Sequence, residues 1–94
     1  MTESTFDFGA AIKELKDGKK VARQGWNGKG QFLFYVPANK YHADGNKKGT
    51  LKGMFPDDMV PYQAYIGIKT TQDTVVPWLA SQSDVLAEDY VIVE

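Results

Sequence analysis

Between residues 8 and 15 the apolar side chains Phe8, Ala11, Ile12 and Leu15 fall at i, i+3, i+4 and i+7, with Lys13 and Glu14 between them and Lys16 beyond. This spacing predicts an amphipathic helix of about ten residues, with Asp7 as its N-cap and Gly18 at the glycine position past its end. A helix this short is marginal alone and needs a sheet to pack on. The period then changes to two. Lys20 to Gln24 reads as a short strand, Gly25 to Gly30 as a glycine-rich turn, and Gln31 to Val36 as a strand. Phe32, Phe34 and Val36 share one face of that strand and Leu33 and Tyr35 the other. Both faces are apolar, which places it centrally or at a subunit contact.

Residues 38–60 show no clear period; Asp44 to Gly49 suits a hairpin tip and Pro56-Asp57-Asp58 a second turn. A long unpatterned stretch of this kind usually marks a functional loop or an irregular excursion. From Tyr62 to Thr70 alternation returns: Tyr62, Ala64, Ile66 and Ile68 against Gln63, Tyr65, Gly67 and Lys69. Thr71-Gln72-Asp73 turns the chain and Thr74 to Val76 completes a hairpin. Pro77-Trp78 suits an edge or a loop. Ser81 or Ser83 can cap a helical turn through Val85, Leu86 and Ala87, and Tyr90 to Val93 is a last strand. Residues 1–6 carry no pattern and read as loose. The expected fold is α+β, a single domain over residues 1–94 with an N-terminal amphipathic helix packed on an antiparallel sheet of about five strands.

Composition narrows the function. A 94-residue chain with 43% hydrophobic and 13% aromatic residues is a folded domain with a modest core, a size class that often oligomerises. It has no cysteine and one histidine, His42, which argues against zinc sites and nucleophile triads. No apolar run approaches the roughly 18 residues needed to span a membrane, and no basic, apolar leader begins the chain. A soluble cytoplasmic protein is expected. The net charge is −1, which disfavours long duplex nucleic acid. The charge is unevenly spread: residues 1–52 hold 10 of the 11 Lys and Arg against 5 acids, and the remainder holds Lys69 against 7 acids. The basic half either attracts an anionic ligand or pairs with the acidic half, within a protomer or across an oligomer.

Both tryptophans lie among turn residues, in R-Q-G-W-N-G-K-G-Q-F-L-F (Arg23 to Phe34) and V-P-W-L-A-S-Q-S-D (Val76 to Asp84). A tryptophan in that setting suits a stacking platform ringed by hydrogen-bonding groups. Trp26 and Trp78 can stack on a planar base, with Phe32 or Phe34 as an edge-on wall. The backbone of Gly28 and its neighbours, with Arg23 and Lys29, can hold phosphates. Asn27, Ser81, Gln82, Ser83 and Asp84 offer partners for ribose hydroxyls and base edges. The competing reading is that both tryptophans pack on the helix face and the polar residues are caps. Asp84, Glu88 and Asp89 suit acid–base work less well than a capped turn with an acidic surface. Gly25, Gly28 and Gly30 make a weak phosphate loop, because a strand and not a helix follows.

The segments F-G-A-A-I-K-E-L-K-D-G-K-K-V-A-R-Q-G-W, N-G-K-G-Q-F-L-F and V-P-W-L-A-S-Q-S-D-V-L-A-E-D-Y resemble the Thoeris anti-defence two family of small phage and prophage proteins. The resemblance covers about two thirds of the chain, in order. It implies a non-enzymatic sponge without cofactor or metal, a homotetramer in the cytoplasm of the infected bacterial host. The sponge binds a small anionic nucleotide second messenger of cyclic ADP-ribose type (glycocyclic ADP-ribose) and, in some members, cyclic oligonucleotides of CBASS at a separate site. The resemblance also implies that Trp26 and Trp78 sandwich or flank the adenine, and that Asn27, Ser81 and Asp84 contact ribose and phosphate. Tyr90 is expected to be structural. Residues 40–59 depart most from the family pattern. Two other functions stay open from the residues alone: a hydrolase of such nucleotides, and a protein-binding inhibitor of a host factor.

Overall fold

The computed structural model describes residues 4–26, 30–45 and 47–94. Helix α1 spans Phe8–Lys16, begun by the Asp7 side chain, which accepts the Ala10 amide at 2.9 Å. Gly18 follows at φ +90°, the left-handed conformation that only glycine adopts without strain. Strands β1 (Lys20–Arg23), β2 (Phe32–Val36), β5 (Tyr65–Lys69), β6 (Val75–Pro77) and β7 (Tyr90–Val93) form one antiparallel sheet in the order β6-β5-β2-β1-β7. Between β2 and β5 the chain makes a separate two-stranded ribbon, β3 (Asn39–His42) with β4 (Met59–Tyr62). Short 3₁₀ turns at Ala43–Gly45, Lys47–Gly49 and Pro56–Asp58 link the two ribbon strands. The molecule measures 54 × 26 × 25 Å.

Three expectations needed correction. The unpatterned stretch holds a ribbon, not a loop alone. The alternating run at Tyr62 is broken, since Tyr62 ends β4 and a new strand starts at Tyr65. Residues 1–3 and Asn46 lie outside the described residues, but Phe6 is not loose: its N–H and C=O pair with Tyr90, at 3.0 and 3.1 Å. Pro77 stands within edge strand β6, where no amide is needed on its outer side.

Cross-strand register sorts the sheet's two faces. Val21 pairs with Leu33 and Ile92, and Leu33 with Ile68. Those residues face α1, whose Ala11 and Leu15 complete the core with Val21, Leu33 and Tyr90, all at most 1% exposed. The short helix α2 (Gln82–Leu86) also touches α1 and lies on this side. The alternate residues Ala22, Phe32, Phe34, Val36, Val91 and Val93 project to the opposite face. No helix covers that face among the described residues. Lys20 and Lys69 sit over the Phe32 ring at 5.3 and 5.9 Å.

Gly67 lies opposite Phe34 in the register, and its missing side chain lets the Phe34 ring settle on bare backbone. A Cβ at position 67 would meet Phe34 Cζ at 2.6 Å. Gly67→Ala is therefore expected to lower stability by about 1–3 kcal/mol through overpacking. Thermal melts should show that loss largely relieved when Phe34→Ala is combined with it. Additive losses would mean that the ring does not define the requirement.

Candidate functional site

The tryptophans converge although 52 positions separate them in sequence. Trp26 stands in the turn after β1, its N–H donating to the Arg23 carbonyl at 3.2 Å. Trp78 directly follows β6, its N–H donating to the Ile66 carbonyl at 2.8 Å. The ring centroids are 6.4 Å apart and inclined by 70°. Phe8 continues the row, 6.3 Å from Trp78 and 6.0 Å from Tyr90. Both indoles are half-buried, with one side against the core and the other toward solvent. An inclination of 70° makes a corner and not a parallel-walled slot. A planar base can stack on one indole and meet the edge of the other without moving either.

One cation braces this corner. Arg23 Nε donates to Asp89 Oδ1 and Nη1 to Asp84 Oδ1, both at 2.9 Å. The second Asp89 oxygen accepts the Gly25 amide at 3.0 Å, beside Trp26. The second Asp84 oxygen accepts both the amide and the hydroxyl of Ser81, each at 2.9 Å, and Ser81 Oγ accepts the Asp84 amide at 3.1 Å. That exchange is a capping box, whose N-cap Ser81 lies three residues after Trp78 and starts α2 at Gln82. The Tyr90 hydroxyl donates to the Asp84 carbonyl at 2.6 Å from a wholly buried position.

Residues 6–93 match the model of the Thoeris anti-defense 2-like domain. The chain belongs to that family. One relative, Thoeris anti-defense 2 of Bacillus phage SP01, is 38% identical over 91 residues, covering 97% of this chain and 98% of that protein. Membership in the Thoeris anti-defense 2-like family gives the chain a phage anti-defence role, and the matched span contains both tryptophan segments.

In this Thoeris anti-defense 2-like chain the candidate residues divide into groups. Trp26, Trp78, Arg23, Ser81 and Asp84 come together; Gln82 opens α2 beside them and is exposed. Asn27, Gly28 and Lys29 lie outside the described residues. Phe32 and Phe34 project from the opposite face of the sheet, so within one protomer they do not wall the tryptophan corner. The third ring in the row is Phe8, beside Trp78 and Tyr90. Sequence reading missed it because its place on the helical apolar stripe accounts for it fully as a core residue. Ser81 and Asp84 are caps, as the competing reading had it, and they are caps at the site's rim. His42 stands apart on β3, its Nδ1 accepting the Asp44 amide at 3.2 Å.

Two hollows of about 630 and 360 Å³ lie elsewhere, the first along Phe6 and β7, the second between Lys40, Phe55 and Pro61. Neither contains a candidate site residue, and in the single chain both indoles of the tryptophan corner keep part of their surface open to solvent. Among the described residues no cluster of His, Cys, Asp or Glu could hold a metal ion, and no helix is long and apolar enough to cross a membrane.

The electrostatics fix the protonation states. Burial pushes the Asp84 carboxyl up, but the Ser81 amide, the Arg23 guanidinium and the Ser81 hydroxyl together hold it below its ordinary value. Asp89 follows the same pattern, with burial outweighed by Arg23 and the Gly25 amide. Burial, then the Asp84 charge, raises the Tyr90 hydroxyl to about 12. Depressed carboxyls add stability that is present above their unfolded value of 3.8 and is lost as pH falls through the lower folded values. The raised phenol adds stability that is complete below its unfolded value of 10.0 and is lost as pH rises toward about 12. Melting temperature should therefore fall on both flanks. Tyr90→Phe should flatten the alkaline flank and leave the acid one, as melts across pH would show.

Proposed function

We propose that the chain is a sponge: it binds a cyclic ADP-ribose-type second messenger, glycocyclic ADP-ribose foremost, and withholds it without cleaving it. The observation that carries this reading is the Trp26–Trp78 corner, half-exposed and ringed by polar groups, in a chain of the Thoeris anti-defense 2-like family. The adenine stacks on one indole against the edge of the other, so the pair flanks the base. The state of the acids supports binding over hydrolysis. Both oxygens of Asp84 and of Asp89 are committed, to Arg23 on one side and to Ser81 or Gly25 on the other, which leaves neither carboxylate free to act as base or nucleophile. A sponge competes with a receptor stoichiometrically, so it needs affinity of nanomolar order, about −12 kcal/mol.

That affinity is hard to reach at a half-exposed corner, and we propose that a homo-oligomer, a tetramer, supplies further walls. The helix-free face of the sheet is the surface on which a second copy docks. Strands about 4.8 Å apart and about four residues long give five of them a face of roughly 300–400 Å² before side-chain relief is counted. This is within about a factor of two or three of the ~800 Å² per partner of a standard interface. Its centre, Phe32, Phe34 and Val36, is apolar.

Titration calorimetry of the protein with glycocyclic ADP-ribose, with a cyclic trinucleotide injected in parallel, tests the ligand. Tight binding and recovery of the intact signal after heat denaturation are expected. Recovery of degraded nucleotide alone, or turnover with substrate in excess, would establish a hydrolase instead. Trp26→Ala and Trp78→Ala should each weaken binding by about 1–3 kcal/mol or more while the oligomer persists. Dissolution of the oligomer by either change would make the tryptophans structural. Phe34→Asp should shift the oligomer toward monomer in light scattering; an unchanged mass would place the subunit contact elsewhere.

A further inference from the structure

We propose that Arg23 is a positioning residue, a single guanidinium that sets the angle of the tryptophan corner, and that it does not hold ligand phosphate. The inference rests on the corner being the binding site. Arg23 ends β1, three residues before Trp26, and its guanidinium spans two segments remote in sequence. Through Asp89 it reaches the amide of Gly25, which adjoins Trp26. Through Asp84 it reaches Ser81, three residues past Trp78. Each carboxylate uses one oxygen for the cation and the other for backbone, so the side-chain path between the two tryptophan segments has the Arg23 guanidinium at its midpoint, beside a backbone route through Tyr90, whose hydroxyl also reaches Asp84. The cluster is semi-enclosed, with side-chain exposures of 22% for Arg23, 14% for Asp84 and 31% for Asp89.

Two physical arguments separate positioning from phosphate binding. First, among the described residues one cation faces two carboxylates, so this Arg23–Asp84–Asp89 cluster carries net negative charge and repels an approaching phosphate. Second, Nε and Nη1 are already committed, and a forked guanidinium is the group able to serve two acceptors in different directions from a fixed plane. A lysine ammonium is a point charge on a flexible stem. It would preserve the charge and satisfy one carboxylate, but it would not fix the direction between them.

The test needs no ligand for its first reading. Two indoles in edge contact give an exciton couplet in circular dichroism whose size and sign depend on their mutual angle. Trp26→Phe, which removes one partner, identifies the couplet. Arg23→Lys is expected to keep the fold, with a modest loss in melting temperature, and to collapse or reshape the couplet. Affinity for glycocyclic ADP-ribose should then fall at least roughly tenfold. Asp89→Asn, which retains the oxygen acceptor for Gly25 and loses charge toward Arg23, should give an intermediate couplet and serves if Arg23→Lys does not fold. A wild-type couplet in the folded variants would overturn the proposal, and so would weakened binding with an unaltered couplet, the signature of a direct phosphate contact. If the wild-type protein does not bind the nucleotide, the ligand reading fails, and the couplet alone still decides whether Arg23 sets the pair.

Discussion

A phenol hydroxyl buried without a partner costs about 1–3 kcal/mol, and Tyr90 is buried to 0% exposure in the middle of the core. The chain answers that constraint by bringing the Asp84 carbonyl within 2.6 Å of the hydroxyl. Much else follows from it. The carbonyl belongs to α2, so α2 must lie beside the sheet, and with it come Ser81 and the segment that carries Trp78. The Tyr90 backbone pairs with Phe6 on one side and Arg23 on the other, and its ring meets Phe8. A core residue thus decides where the polar rim of the site sits.

This arrangement explains how so small a domain can present an ordered, half-exposed aromatic pair. Neither tryptophan is held by regular secondary structure; one stands in a turn and the other just past an edge strand. Their order comes from below, through Phe8 and the core, and from the side, through two carboxylates that share one guanidinium. Hydrogen bonds to charged partners are the stronger kind, and this cluster is enclosed enough for solvent to weaken them only in part. Rigidity at the site is borrowed from the sheet and not from the turns that carry the aromatic rings.

Much of this was legible in the sequence, and the exceptions have physical causes. Asp7, the stripe Phe8, Ala11, Ile12, Leu15 and then Gly18 announce α1 because cap, period and stop agree. The period-two runs announce the strands of the large sheet. The β3–β4 ribbon is silent because it has little core to cover: Val60 is its one buried residue, Asn39, Lys40 and Pro61 are exposed, and one buried position sets no period. The tryptophans stood out by their turn-like surroundings. Which face of β2 meets them did not, since alternation separates Phe32 and Phe34 from Leu33 without saying which set adjoins a distant loop. Arg23 reads as a free cation in sequence because the acids that hold it lie 61 and 66 residues away.

The pairing of β1 with β7 has a consequence for how the protein comes into being. Lys20–Arg23 are hydrogen-bonded to residues 90–93, so the sheet closes across a span of some seventy positions. During synthesis α1, β1 and β2 emerge early, with Ala11, Leu15, Val21 and Leu33 only partly covered until Tyr90 arrives. The β3–β4 ribbon and the β5–β6 hairpin, built from near neighbours in sequence, can form meanwhile. The tryptophan corner is among the last features to appear, because Asp89 and Tyr90 arrive with the closing strand. A nascent chain therefore lacks the ordered Trp26–Trp78 corner until the whole domain has folded.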